Sequence, residues 1–217
     1  MNADGNSKPL RLGVLLSGGG RTLMNILDEI AAGRLDAEVA VVIASRPCKG
    51  IQRAERAGLD VRLVEYKSFK GAGGAADTKA YSARIAEILD AAGVNLVVQA
   101  GFLSLWEIPA QYDGRVMNIH PALLPSFGGL GMYGHHVHEA VLAAGCKVSG
   151  CTVHFVTNEY DKGPIIIQRA VEVVEGDDAD SLAARVFEQE CLAYPAAIGL
   201  FAAGRLSIEG NTVRIRP

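Results

Sequence analysis

An apolar run, Leu10–Leu16, stops at Ser17-Gly18-Gly19-Gly20 and gives way to helical spacing of apolar residues from Leu23 to Ala32. A short continuous apolar run bounded by turn residues reads as a strand buried on both faces. Gly33 supplies a helix C-cap, and Ala37–Ala44 is a second apolar run of the same kind. Strand, glycine turn, helix and strand make a βαβ unit, whose crossover is right-handed and whose strands are parallel. A strand buried on both faces needs helices on both sides of its sheet, so this opening alone constrains the rest of the chain to an α/β layering.

The remaining punctuation fits that frame. Helical patterns are expected at Ile51–Ala57, Asp77–Ala92, His135–Ala144 and Asp180–Ala203, and strands at Val61–Val64, Asn95–Gln99, Val116–His120, Val148–Val156 and Pro164–Val174. Gly210-Asn211 between Leu206–Glu209 and Thr212–Ile215 reads as a hairpin turn. Lys67–Gly74 has loop composition and is expected to be mobile. The predicted fold is α/β, an open, doubly wound, mostly parallel sheet with helices on both faces and its later strands antiparallel. No linker or repeat divides it, so residues 10–217 are expected to form one domain behind a disordered lead, residues 1–9.

A net charge of -3 spread over 217 residues offers no basic surface for a polyanion, so nucleic acid is not an expected partner. No run of about 18 apolar residues could span a bilayer, and Met1–Pro9 lacks the apolar centre of a signal peptide. A cytoplasmic location is expected. Cys48, Cys146, Cys151 and Cys191 have no CxxC spacing, which suits buried thiols better than a disulfide framework or a zinc site.

Candidate chemistry starts in Val116–His120. Alternation along a strand puts Asn118 and His120 on one face, with Met117 and Ile119 on the other. Pro121 cannot extend the ladder, so the pair is expected to stand exposed at the carboxyl edge of the sheet, where open α/β folds bind ligands. Asp161 lies in the connection between two later strands. If that connection returns across the edge, its carboxylate can orient the His120 ring and favour the charged form. An amide donor, a tunable imidazole and a carboxylate suit a reaction that develops an oxyanion, and no serine or cysteine nucleophile is needed.

The Ser17–Thr22 turn supplies a second site. Unpaired amides and the positive end of the helix dipole favour an anion, with Arg21 and the Thr22 hydroxyl as added donors. The turn lacks the Gly-Lys-Ser/Thr of a P-loop, and Leu23 stands where a dinucleotide fingerprint has its third glycine, so a single phosphate fits better than a dinucleotide. His135, His136 and His138 invite a metal reading, but no nearby carboxylate or cysteine completes a tetrahedral set, and packing is the favoured role. His154 is expected to be a structural hydrogen-bonder. Trp106 either covers a ligand or packs the core.

Several stretches together are similar to one family. Leu16-Ser17-Gly18-Gly19-Gly20, Ala100-Gly101-Phe102, Asn118-Ile119-His120-Pro121-Ala122-Leu123-Leu124-Pro125, Thr152-Val153-His154-Phe155-Val156, Asp161-Lys162-Gly163-Pro164-Ile165 and Glu190-Cys191-Leu192-Ala193-Tyr194-Pro195 resemble the folate-dependent formyltransferases, and among them the glycinamide ribonucleotide formyltransferases of purine synthesis. The resemblance runs from about Leu12 to Leu206. It implies the formyltransferase fold and transfer of a formyl group from 10-formyltetrahydrofolate, a co-substrate, to the amine of 5-phosphoribosylglycinamide, by a monomer or homodimer without metal. It also implies catalytic roles for Asn118, His120 and Asp161. Substrate contacts implied are Gly19, Gly20, Arg21 and Thr22 at the phosphate, Glu190 at the glycinamide end, and Pro121. Folate contacts implied are Leu103, Ser104, Leu105, Trp106, Asn118, Val156, Thr157 and Asp161. Members commonly carry Gly-Asn-Gly-Ser-Asn where this chain has Gly18-Gly19-Gly20-Arg21-Thr22, and the segment after Pro125 is longer here. The competing readings are a formyltetrahydrofolate deformylase, which normally carries an additional N-terminal domain, and a nucleotide-binding module without catalysis.

Overall fold

The computed structural model describes residues 8–71 and 77–217. The expected lead and the Lys67–Gly74 loop therefore lie partly outside the described residues. Among the described residues nine strands form one sheet in the order β3-β2-β1-β4-β5-β6-β7-β9-β8. The strands are β1 (Leu10–Leu16), β2 (Ala37–Ala44), β3 (Val61–Leu63), β4 (Leu96–Gln99), β5 (Val116–His120), β6 (Val148–Phe155), β7 (Ile165–Glu172), β8 (Leu206–Glu209) and β9 (Thr212–Ile215). The helices are α1 (Arg21–Ala31), α2 (Lys49–Arg56), α3 (Thr78–Ala91), α4 (His135–Ala143) and α5 (Ala179–Ala202).

β1 pairs in parallel with both β2 and β4, and β4 in parallel with β5, while β6 is antiparallel to both β5 and β7. The chain runs outward from β1 to β3 and then returns to β4 on the other side of β1. The crevice at the carboxyl ends of β1 and β4 is thus the switch point where doubly wound sheets take their ligands.

Two core layers follow from strand alternation. Leu12, Val14 and Leu16 of β1 are fully buried with Leu23 and Ile26 of α1 and Val186, Ala197 and Ile198 of α5, while Leu15, Val41, Ile43 and Val97 are buried with Tyr81, Ile85 and Leu89 of α3 on the other face. Each such large aliphatic contributes about 1.5–3 kcal/mol of transfer free energy before ordering costs. Tyr194 of α5 is fully buried, and its hydroxyl is shared between the carbonyls of Gln99 (3.0 Å) and Met117 (2.9 Å), pinning α5 across β4 and β5. No described helix is long and apolar enough to cross a membrane.

Two helix starts differ from expectation for local reasons. α1 begins at Arg21 rather than Leu23 because Gly20 takes the left-handed conformation (φ 73°) at the N-cap. α5 begins at Ala179 because Asp178, not Asp180, is the cap: its carboxylate accepts from Ser181 N (2.8 Å) and the Ser181 hydroxyl accepts from Asp178 N (3.0 Å), a capping box.

Candidate active site

β5 sits between β4 and β6, and its register sets Asn118 opposite His154 and His120 opposite Thr152. The His154 Nδ1 lies 2.9 Å from the carbonyl of Phe155, which can only accept, so Nδ1 carries the hydrogen. In the neutral ring Nε2 is then an acceptor, and the Asn118 Nδ2, 3.2 Å away, donates to it. His154 is the structural hydrogen-bonder expected, and it also stands inside the site.

His120 corrects the expectation of an exposed pair. It is 3% exposed, because the segment after Pro125 returns over it and the Phe127 carbonyl takes its Nε2–H at 2.8 Å. Its Nδ1 faces Asp161 Oδ2 at 3.7 Å, and Asp161 Oδ1 lies 3.7 Å from His154 Nε2. Both gaps exceed hydrogen-bond length, so the carboxylate is set between two imidazoles at a spacing that a water or a small closure bridges. Gly129 N donates to Asp161 Oδ2 at 2.8 Å and fixes the carboxylate.

Asp161 and Phe127 both hold φ near the left-handed region, 53° and 54°. Such conformations cost on the order of 1–3 kcal/mol each in a residue other than glycine. Both strained residues touch or face the His120 ring, so the surrounding fold supplies energy to hold its two partners in place.

Electrostatics divide the pair. Burial is the largest influence on His120 and pushes its pKa down, outweighing the upward pull of Asp161 and of the Phe127 carbonyl; His154 adds to the downward shift. The expectation that Asp161 holds the ring charged is met in direction only. For Asp161, burial pushes up, but the His154 ring, the Gly129 amide and the His120 ring together hold the carboxyl below its ordinary value.

The turn after His120 is braced from β6 and β7. Thr152 Oγ1 donates to Ala122 O (2.7 Å) and accepts from Leu124 N (3.0 Å), while Gln168 Nε2 donates to Leu124 O (2.9 Å) and Thr152 Oγ1 (3.0 Å). Sequence reasoning missed Thr152 and Gln168. The available signal was a pair of polar residues in the middle of otherwise apolar strands, where a buried polar group must find partners.

A cleft of about 240 Å³ opens beside this cluster. Every residue expected at the folate lines it: Leu103, Ser104, Leu105, Trp106, Asn118, Val156, Thr157 and Asp161, together with His120 and Pro121. Trp106 forms part of the wall while being 5% exposed and tilted against Tyr112 in the core. Residues 129–134, in the longer segment, form another wall that the sequence did not assign. Leu103, Leu105, Leu130, Tyr133 and Tyr160 give the cleft an exposed apolar rim suited to a flat aromatic ligand.

Gly19, Gly20, Arg21, Thr22 and Glu190 do not line that cleft. They lie around the neighbouring glycine turn, joined to the cleft wall where Leu103 N donates to Ser17 Oγ at 2.8 Å. The turn's carbonyls point outward into partners: Ser17 O accepts from Arg46 Nε (2.7 Å), Gly18 O from Gly50 N (3.0 Å) and Gly19 O from Arg53 Nη1 (2.7 Å). The negative ends of these peptide dipoles are thereby occupied, while the first amides of α1 have no helical acceptor.

A Cβ at Gly20 would lie 2.9 Å from the Gly50 Cα, in a backbone conformation that side chains disfavour. Gly20→Ala is expected to destabilise the fold by about 1–3 kcal/mol, lowering Tm by roughly 2–4 °C for each kcal/mol. Thermal unfolding checks this, and an unchanged Tm would count against the close approach of α1 and α2.

On the far side of the turn, the Arg21 guanidinium lies over the Phe187 ring, 3.8 Å from its centroid. Burial pushes Glu190 up to about 7, with Arg21 opposing. Among the described residues no cluster of three metal-ligating side chains occurs. His135 pairs with Asp180 at 3.5 Å and His136 with Glu139 at 3.3 Å, while His138 is buried. The four cysteines are free, and only Cys151 is fully buried; the others are partly exposed, a correction to the expectation of buried thiols.

Three comparisons bear on this geometry. The chain is similar to the glycinamide ribonucleotide transformylase 1 structure from Symbiobacterium toebii, with a TM-score of 0.87, 43% identity, and 98% of this chain and 96% of that one covered. It is 35% identical to the phosphoribosylglycinamide formyltransferase of Escherichia coli (strain K12) over 201 residues, 91% of this chain and 90% of that protein. It is also 35% identical over 202 residues to the trifunctional purine biosynthetic protein adenosine-3 of Gallus gallus, matching 92% of this chain but spanning only 19% of that protein's length. With the formyl transferase pattern matched across residues 10–198, from the first strand to the last buried turn of α5, the chain belongs to the formyl transferase family.

Proposed function

We propose that this chain is a phosphoribosylglycinamide formyltransferase, moving a formyl group from 10-formyltetrahydrofolate to the amine of 5-phosphoribosylglycinamide in purine biosynthesis, in the cytoplasm. The observation that carries the reading is Asp161 set between His120 and His154 at the inner end of an aromatic-sized cleft, beside Asn118 and next to an anion-favouring turn. The proposal places the phosphate at Gly19, Gly20, Arg21 and Thr22, the glycinamide end near Glu190 and Pro121, and the folate along Leu103–Trp106 and Val156–Asp161.

In that arrangement the substrate amine attacks the formyl carbon, and the carbonyl π electrons move onto oxygen. The Asn118 amide has two hydrogens; one is given to His154 Nε2 and the other is available to the oxyanion. In its protonated form His120 sets a positive charge beside the oxyanion, its Nε2–H held by the Phe127 carbonyl and its Nδ1 facing Asp161. The amine then loses a proton while the departing folate nitrogen gains one, so the reaction needs a relay and no net proton. Asp161 fits that relay, because a water lying beside the two groups can hydrogen-bond to both across their 3.7 Å separation. Glu190, pushed up to about 7 by burial, is partly ionised near neutral pH, and its carboxylate can accept a hydrogen bond from the incoming amine and help to hold it.

The discriminating measurement is tetrahydrofolate release from 10-formyltetrahydrofolate with phosphoribosylglycinamide or water alone as acceptor. Release that depends on the amine is the expected result. Equal release with water would make the chain a deformylase, and no release with either would leave a binding module.

A further inference from the structure

We infer that Phe187 is a positioning residue for the substrate phosphate: its ring face holds the Arg21 guanidinium at the glycine turn, so that this chain grips the anion with a fixed positive charge. The inference rests on the formyl-transfer reading for the identity of the phosphate.

Arg21 puts a cation at the first position of α1, directly after the glycine turn. Among the described residues no carboxylate or carbonyl accepts from its N–H groups, and the 3.8 Å contact with Phe187 occupies the face of the guanidinium while leaving its in-plane donors open. The neighbouring arginines are engaged differently, since Arg46 and Arg53 each give a donor to a carbonyl of the turn.

Phe187 and Glu190 are three apart on α5, which places them on one face, towards α1. Phe187 thus does for Arg21 what an ion pair with Glu190 would not: it fixes the guanidinium without cancelling its charge. A planar fork pre-organised beside helix amides matches a phosphate's oxygens in pairs and loses little freedom when the anion arrives. The same charge opposes the upward shift of Glu190, so the pair also links phosphate grip to the state of the carboxyl expected at the amine end.

The test compares Phe187→Leu, which keeps bulk and removes the aromatic face, with Phe187→Tyr, which keeps the face. The readouts are steady-state kinetics and calorimetric binding of ribose 5-phosphate. Phe187→Leu is expected to raise the phosphoribosylglycinamide KM and the ribose 5-phosphate Kd about tenfold, with kcat and the folate KM near wild type, the size expected for a lost cation–π contact and its pre-organisation. Phe187→Tyr should restore both to within about twofold. Arg21→Gln, a change at an exposed side chain, should weaken binding similarly and add little in the Phe187→Leu background, because the two residues act as one unit. Unchanged ribose 5-phosphate binding in Phe187→Leu, no rescue by Tyr, or additive losses in the double variant would each overturn the inference. Amine-independent folate release by the wild type would instead overturn the formyl-transfer reading, while the ribose 5-phosphate titrations would still report on Arg21 and Phe187.

Discussion

Asp161→Asn is expected to lower kcat by about 10²–10³-fold with the fold intact, the loss typical of removing one pre-organised electrostatic partner from a developing oxyanion. The substitution keeps the size of the side chain and an oxygen able to accept from Gly129 N, so the loop has no steric reason to move. What disappears is the negative charge between His120 and His154. His120 then keeps the burial and the His154 influence that push its pKa down, and loses the largest influence that pushes it up. Because the proposed stabilising charge is protonated His120, activity falls as pH rises through the His120 pKa, and in Asp161→Asn that falling limb moves to lower pH. His120→Ala should cost a comparable factor. The double variant should be little worse than either, since the residues work as one unit. Kinetics over pH 5–9, together with melting curves, check these outcomes. Full turnover by either variant, or a pH profile that Asp161→Asn leaves unmoved, would remove the pair from the mechanism.

How far the sequence leads depends on the range of the interactions. β1, β2, β5, β8 and β9 fall where the apolar runs and their flanking turn residues put them, because both the run and its stop signals are local. The common face of Asn118 and His120 follows from strand alternation in the same way. The burial of His120 does not, since it comes from Phe127 and the segment beyond, whose path is set by Gly129 reaching Asp161 across 32 positions. His154 enters the site only through the antiparallel register of β5 and β6, which pairs Asn118 with a residue 36 positions away. Thr152 and Gln168 brace the His120 turn through the same two strands. Arg21 was legible as a cation at the phosphate turn, but its partner Phe187 sits on a helix that the chain reaches 166 residues later in sequence, and no local pattern couples them. Periodicity thus locates elements and the direction of a side chain, while the partners that tune it belong to tertiary packing.

Gly163→Ala is expected to be as damaging as a change in the catalytic set, although position 163 carries no side chain. A Cβ there would lie 1.8 Å from the Phe155 carbonyl oxygen and 2.8 Å from its carbon, contacts that no rotamer change can relieve because both partners are backbone. Phe155 cannot retreat freely. Its N–H donates to Pro164 O at 2.9 Å, and its carbonyl accepts from His154 Nδ1 at 2.9 Å. Moving that carbonyl releases the His154 tautomer, and with it the Nε2 acceptor that orients Asn118. Moving Gly163 instead shifts Asp161, two residues earlier, which is already held in a left-handed conformation. Either adjustment spoils one half of the site, so the variant should lose at least about 10²-fold in kcat/KM, as a misplacement of about 1 Å does, and about 2–4 kcal/mol of stability, at the upper end for overpacking. Gly199 provides the control. It lies inside α5, where a Cβ meets nothing within 4 Å, and Gly199→Ala should be neutral or stabilise by up to about 1 kcal/mol through helix propensity, with activity unchanged. Thermal melts and kcat/KM for the two variants therefore separate in sign as well as size. A Gly163→Ala protein that melts and turns over like wild type would show that the Asp161 loop is not held by this backbone contact.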